Sequence, residues 1–282
     1  MLKQTAYILI AMIAVMDFIV WQNIGKTNTA LEVLFFDVGQ GDATLVRFPG
    51  GEDMLIDGGP PNGKVLGELS ENLPLGDRYL DLVVLTHPDL DHFGGLIEVL
   101  ENYDIGAVIG NGAKGTASNF ETLAQKIQEK EKRYVSLGEG DQILIGNSKI
   151  NIIAPSVEEK RGPKSNDASL VFNLESGGAR ILFTGDIGSA IEKRLVEEQK
   201  SQDVEVLKVA HHGSKFSSSA SFLESVRPEI SVISSGKNSY GHPTKEVIRR
   251  LKDVNSKILR TDQSGTIMVK IDNNHLKIFT EK

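Results

Sequence analysis

Short blocks of apolar residues punctuate most of this chain, and their period changes from two to three-and-a-half and back as the chain runs on. Leu31–Phe36 (LEVLFF) reads as a strand that enters the tight segment Asp37-Val-Gly-Gln-Gly-Asp42. Ala43–Phe48 and Met54–Asp57 follow as short strands, each stopped by glycine or proline. Leu80–Leu85 (LDLVVL) is the near-continuous apolar run that a strand covered on both faces needs, and Phe93–Tyr103 after it reads as a helix. Phe120, Leu123, Ala124 and Ile127 fall at helical spacing. Strand patterns return at Gln142–Ile145, Lys149–Ile153, and Ser169–Leu174 with Arg180–Phe183 across a Ser-Gly-Gly turn. Helix Ile187–Gln199, strand Val204–Ala210, helix Ser221–Val226, strand Ile230–Ser234 and helix Thr244–Val254 follow in alternation. Gly265–Ile271 and His275–Phe279 close the chain as a hairpin.

Strand-rich and helix-alternating blocks thus occur twice, with no linker between Leu31 and Lys282. The pattern predicts one α/β domain over 31–282, arranged as a four-layer αββα sandwich with two sheets face to face and helices outside. An ordinary three-layer α/β fold is compatible with the same pattern. The first 24 residues differ. Thr5–Ile24 is apolar apart from Asp17 and a polar end at Gln22 and Asn23, and residues 25–30 form a short polar linker. Twenty helical residues span about 30 Å, one hydrocarbon core, although an aspartate at mid-segment costs about 2.5–3.5 kcal/mol. With no A-x-A cleavage site before Glu32, a membrane-anchor helix is the expectation and a cleaved signal peptide the alternative. Lys3 and the amino terminus on one side, against Lys26 on the other, favour a domain outside the cytoplasm.

Composition narrows the chemistry. There is no cysteine, so thiolate metal sites and cysteine nucleophiles are excluded and His, Asp and Glu remain as ligands. A net charge of −7 excludes a broad cationic footprint for nucleic acid.

The densest cluster of such ligands is His87-Pro-Asp89-Leu-Asp91-His92, just past the buried strand. In extended chain positions 87, 89 and 91 project to one side, and four ligand-type side chains in six residues can serve two metals, His87 with Asp89 and Asp91 with His92. Asp186 follows a strand through Thr184-Gly185, where it could bridge two cations or cap the next helix. His211 and His212 follow another strand. Neighbouring side chains on a strand diverge, so one is expected to be a ligand, with His212 preferred, and the other to face substrate. Ser214 and Lys215 beside them could hold an anionic oxygen or form a solvated turn. His242, in Asn238-Ser-Tyr-Gly-His-Pro243, is read as ligand, proton donor or plain loop histidine.

At these residues the sequence resembles the metallo-β-lactamase superfamily, and more narrowly the hydrolase domain of ComEC-type DNA-uptake proteins. The matching segments are Asp37–Asp42, Leu55–Gly59, Thr86–His92, Ser169–Val171, Thr184–Asp186, His211–Ser214 and Tyr240–Pro243. The resemblance implies the four-layer metallo-β-lactamase fold and two divalent metal ions, with Asp57 supporting the histidine loop from behind. Two positions depart from the superfamily pattern. Asp89 stands where a histidine is usual, and Asn166-Asp167 stands where a further histidine is expected before Asp186. Both exchange nitrogen for oxygen, which favours Mn²⁺ more than an all-imidazole site would, with Zn²⁺ still open.

The function implied is hydrolysis by water activated between two metals, with Asp91, Asp186 and His242 as catalytic residues: Asp186 helps place the nucleophile, His242 or the spare histidine of the 211–212 pair protonates the leaving group or holds the phosphate, and Asn166 donates to the oxyanion. A phosphodiesterase or nuclease acting on DNA at the cell surface is the leading expectation, with a separate DNA-transport channel protein as a partner. A small-substrate hydrolase acting on a choline phosphodiester, lactone or thioester is the first alternative. A non-catalytic metal-binding module is the second.

Overall fold

Strand β1 (Leu31–Phe35) sets the plan of the molecule. Leu31, Val33 and Phe35 enter one apolar core while Leu34 enters another, as the two-residue period of a strand requires. A strand apolar on both faces must be covered on both, and the rest of the chain supplies the cover. The structure is a computed structural model that describes residues 12–16, 30–115, 118–272 and 275–282.

Among the described residues β1 belongs to an eight-stranded sheet with β2 (Thr44–Arg47), β3 (Asp53–Ile56), β4 (Tyr79–Leu85), β5 (Asp104–Gly110), β6 (Arg133–Ser136), β14 (Ile267–Asp272) and β15 (His275–Thr280). The order is β15-β14-β1-β2-β3-β4-β5-β6. The second sheet runs β13-β12-β11-β10-β9-β8-β7, from β7 (Gln142–Ile145), β8 (Ser148–Ala154), β9 (Val171–Ser176) and β10 (Ala179–Phe183) to β11 (Val206–Lys208), β12 (Ile230–Ile233) and β13 (Lys257–Arg260). Inner faces meet at Phe35, Met54, Val84, Phe172 and Phe183, with the Phe172 and Phe183 rings stacked at 5.0 Å. Burying each such side chain contributes about 1.5–3 kcal/mol.

Helices Lys64–Asn72, Leu96–Asn102 and Ser118–Glu129 cover the outer face of the first sheet through Val65, Leu69, Leu96, Val99 and Leu123. Helices Ser189–Glu197, Ala220–Val226 and Lys245–Asp253 do the same for the second through Leu195, Phe222 and Leu251. The layering is therefore αββα, the four-layer alternative of the sequence pattern. Each sheet is parallel in one half, β3 to β6 in the first and β10 to β13 in the second. The carboxyl ends of parallel strands are where loops can gather a site.

Some elements depart from the expected ones. The helix expected over 93–103 is broken into Leu90–Phe93 and Leu96–Asn102. The break falls at Gly94-Gly95, where a Cβ on Gly95 would lie 2.2 Å from the Gly58 carbonyl oxygen, so the turn after β3 presses on bare backbone. Helix Lys64–Asn72 and strands β5, β6 and β13 were not evident from periodicity. The strand expected over 204–210 is regular only at Val206–Lys208 and then turns. Most of the expected anchor over 1–24 and all of the linker but Ala30 lie outside the described residues. Among the described residues no helix is long and apolar enough to cross a membrane.

Candidate metal centre

Strand β4 hands the chain to Thr86 and His87, both buried. Asp57, at the end of β3, orders this corner. One of its oxygens accepts the Thr86 amide (2.8 Å), and the other accepts the Thr86 hydroxyl (2.7 Å) and His92 Nδ1 (2.8 Å). Because the Thr86 hydroxyl donates to Asp57, its oxygen is left to accept from His87 Nδ1 at 3.0 Å. Both imidazoles therefore carry a proton on Nδ1, which leaves both Nε2 atoms, turned to the same space, as the atoms a metal would take, with ring centres 4.1 Å apart. Asp57 takes a left-handed backbone (φ 57°) to do this, a strain of the kind that collects at functional sites.

Asp89 Oδ2 lies 3.7 Å from His87 Nε2, and Asp91 Oδ2 lies 3.4 Å from His212 Nε2. Asp186, delivered by β10, stands between the two halves. Its Oδ1 is 3.5 Å from His92 Nε2 and its Oδ2 is 3.6 Å from His212 Nε2. The Ser169 hydroxyl accepts the Asp186 amide at 3.2 Å.

The expectation for His211 and His212 rested on strand geometry, and the backbone here is not a strand. Both residues are left-handed (φ 52° each), in a turn directly after β11. The turn buries His212, whose Nδ1–H donates to the Ser234 carbonyl at 3.0 Å and leaves Nε2 facing Asp91 and Asp186. His211 stays about a third exposed, its Nε2 3.9 Å from Asp186 Oδ2, and it belongs to none of the ligand-distance groups. It borders the centre, facing His242 at 5.6 Å between rings.

Two residues of the centre were not among the expected site residues. Lys208, the last residue of β11, is buried with its Nζ 2.7 Å from Asp42 Oδ2, and Asp42 Oδ1 lies 3.3 Å from His212 Nδ1. A lysine inside an apolar strand needs a buried partner, and that was the available signal. Asp42 reaches the spot because Gly41 lets the turn close on the histidine loop. A Cβ there would lie 2.3 Å from the Asp91 carbonyl, which accepts the Asp42 amide at 3.1 Å.

Asp42, Asp57, Asp89, Asp91 and Asp186 thus surround the space, with Lys208 as the lysine among them. Burial would raise the Asp42 carboxyl, but Lys208, His212 and His92 more than offset it and hold it well below the usual range. Asp186 is likewise lowered, burial being outweighed by His212 and His92. Burial alone would lower His212, yet Asp186 and Asp42 push it up to about 10, and Asp186 and Asp57 raise His92 against the same penalty. The centre demands positive charge. Five of its buried ligand-type atoms, Asp42 Oδ1, His87 Nε2, His92 Nε2, Asp186 Oδ1 and His212 Nε2, have no hydrogen-bond partner. Orphaned imidazole and carboxylate atoms at ligand spacing fit divalent cations, which would take the place of the protons. The groups His87–His92–Asp186 and Asp91–His92–His212 each have their ligand atoms within 4.8 Å of one another.

Around this centre the remaining candidates divide. Asn166 lines a cleft of about 450 Å³ together with Lys164, Asp167, Asp186, His211 and Phe216. Ser214 is buried in the turn, where its hydroxyl accepts the Phe216 amide at 3.4 Å, while Lys215 is exposed with its Nζ 5.0 Å from the Phe216 ring centre. His242 is half-buried and its Nδ1 has no partner; burial, with His211 and His212 nearby, lowers its pKa.

A two-sheet sandwich with this donor set at its strand ends defines a class. Residues 36–237 match the family model for the metallo-β-lactamase superfamily, and the chain belongs to that superfamily. Among curated proteins it is 29% identical to ComE operon protein 3 of Bacillus subtilis (strain 168), over 86% of this chain and 33% of that protein. It is 33% identical to competence protein ComA of Neisseria gonorrhoeae, over 83% of this chain and 31% of the relative. The chain thus matches about a third of the length of either relative. The metallo-β-lactamase fold protein YhfI from Bacillus subtilis shares the fold at a TM-score of 0.58 and 11% identity, covering 84% of this chain and 99% of that one.

Proposed function

We propose that the chain is a metal-dependent phosphodiesterase that cleaves DNA at the cell surface in connection with DNA uptake. The observation that carries the hydrolytic part is the convergence of orphaned Nε2 and carboxylate atoms from both sheets beside an open cleft. Similarity to proteins named for competence supports the DNA part.

His87, Asp89 and Asp186 are the proposed holders of one divalent ion, and Asp91, His92, His212 and Asp186 of the other, as Mn²⁺ or Zn²⁺. Such a pair supplies a lowered pKa for water and polarisation of a phosphoryl oxygen. The chain's own residues do the rest. Asp57, directly for His92 and through Thr86 for His87, keeps a proton of each ring on the side away from the centre. Asn166 faces the cleft and is the proposed donor to the phosphoryl oxygen. His242, on the rim of the centre with its ring 5.6 Å from that of His211, is the proposed proton carrier for the leaving oxygen. The apolar segment 5–24 is the proposed anchor that places the domain outside the membrane, where a separate DNA-transport channel protein would be its partner.

The test is metal-dependent cleavage by the full chain. Single-stranded DNA, duplex DNA and bis(p-nitrophenyl) phosphate are each supplied with Mn²⁺ or Zn²⁺, and an Asp91→Ala, His92→Ala variant is run alongside. DNA cleavage that the variant lacks supports the proposal. Cleavage of the small diester alone would replace it with a small-substrate phosphodiesterase. No cleavage by a chain that binds metal would refute it.

A further inference from the structure

Two aromatic rings stand in solvent beside the centre, on loops built to hold them there. Phe216 is 67% exposed and lines the cleft with Asp186 and His211. Its loop is clamped from beneath. The buried Glu192 carboxylate accepts the amides of Ser218 and Ser219, the Ser217 hydroxyl donates to the Ile187 carbonyl, and Arg250 donates to the carbonyls of Lys215, Ser217 and Ser218. Tyr240 is 74% exposed and stacks on His242 at 5.8 Å. Its loop is clipped by Asn238, which accepts the amides of Tyr240 and His242 and donates to the carbonyls of Gly236 and His242. A rigid loop that keeps an apolar ring wet forgoes the burial that the ring would otherwise gain, and a ring so held is ready to be covered by something else.

Two lysines stand on the Phe216 side of the rim. Lys215 lies over the Phe216 ring, and Lys164, with its side chain 74% exposed, lines the cleft while paired to Asp167 at 3.8 Å. A net charge of −7 argues against a grip built on many phosphates. Stacking needs no net charge, and it needs bases whose faces are free.

Resting on the nuclease reading, we infer that Phe216 and Tyr240 are stacking platforms for unpaired bases on either side of the scissile phosphate, so that the site takes single-stranded DNA and selects it by base stacking. Lys215 then meets one adjacent phosphate. Three consequences follow from the chemistry. Unpaired strands are preferred to duplex, bases matter while their identity does not, and binding depends weakly on salt, with a log–log slope no steeper than about −2 for two or so phosphate contacts.

The experiment compares a 12-nucleotide single strand, the same strand with abasic sites through its centre, and the duplex. The Mn²⁺-loaded full chain is run as wild type, Phe216→Ala, Tyr240→Ala, the double variant, and a Phe216→Tyr, Tyr240→Phe control. The expected wild-type result is a preference of about tenfold to hundredfold per ring for the base-bearing strand over the abasic one, read mainly in KM. The double variant loses that preference and the control keeps it. Equal kcat/KM of wild type on normal and abasic strands, or an equal loss by the double variant on both, overturns the inference while leaving the nuclease intact. If no strand is cut, the nuclease reading fails instead, and fluorescence anisotropy on the same oligonucleotides decides this one. Tighter binding of the base-bearing strand, lost in the double variant, upholds it. Indifference to bases overturns it.

Discussion

Both sheets bring histidines to one point, and they hold them by different means. His87 and His92, from the first sheet, are oriented by side chains, Asp57 acting directly on one and through Thr86 on the other. His212, from the second, is oriented by main chain. Its ring donates to the Ser234 carbonyl and its own backbone is forced left-handed beside that of His211. A side-chain relay fails at a single substitution, whereas a backbone device can only be relaxed. The first half of the centre is therefore the chemically fragile one, and the second half stores strain that Lys208 and Asp42 back from behind.

The sharpest break removes the residue the halves share. Asp186→Ala should reduce metal-dependent hydrolysis to background and cost at least one bound ion per chain, read by elemental analysis of the dialysed protein. Full metal content would mean that the halves bind independently of it. Lys208→Met attacks the support of the second half by leaving Asp42 buried without its lysine partner. Loss of one partner of a buried pair costs about 3–5 kcal/mol, which urea unfolding would register, and adding Asp42→Asn should recover most of it. An uncorrected loss in the double variant would show that the lysine stem, not the charge, is what the fold needs.

Asp57→Asn tests the relay. The new amide keeps its oxygen for the Thr86 amide, so its NH₂ must face the Thr86 hydroxyl and His92 Nδ1. That forces the His92 proton onto Nε2, the atom meant for metal. Supporting residues of this kind are worth about 10–100-fold in metal affinity or activity. Wild-type metal affinity in this variant would assign Asp57 a purely structural part. The smallest effect belongs to the backbone device. His211→Gly should relieve the left-handed strain and stabilise the protein by about 0.5–1 kcal/mol, a rise of about 1–4 °C in Tm. A fall in Tm would mean that the His211 ring contributes more than its backbone costs.

The histidine loop was legible because four ligand-type residues in six positions have no cheaper explanation behind a buried strand. That LEVLFF and LDLVVL need cover on two faces was legible too, but three layers would have met that need as well as four. What escaped was written weakly or written elsewhere. Helix Lys64–Asn72 starts at Gly63 with no side-chain cap and carries Gly67 inside, so it gives no start signal. Strand β5 contains Gly106 and Gly110, and β6 lies at a sheet edge, largely exposed, so neither shows a clean alternation. The divergence argument for His211 and His212 assumed extended chain, and no local residue pattern announces two consecutive left-handed histidines. Lys208 could be recognised as a partner of Asp42 only once the sheets were docked, because the two are brought together from opposite layers.

Strand β1 is completed by β14, pairing Leu31 with Ile271, and the Asp37 amide finds its acceptor in Thr266, 229 residues away. On the ribosome, at about 5–20 residues per second, that acceptor is made roughly ten to fifty seconds after the strand it must close. For that interval the newborn chain carries an open, apolar strand edge of the sort that invites pairing with a neighbour. A chain terminated before Ile267 would keep that edge for good, which makes premature release a hazard of this topology.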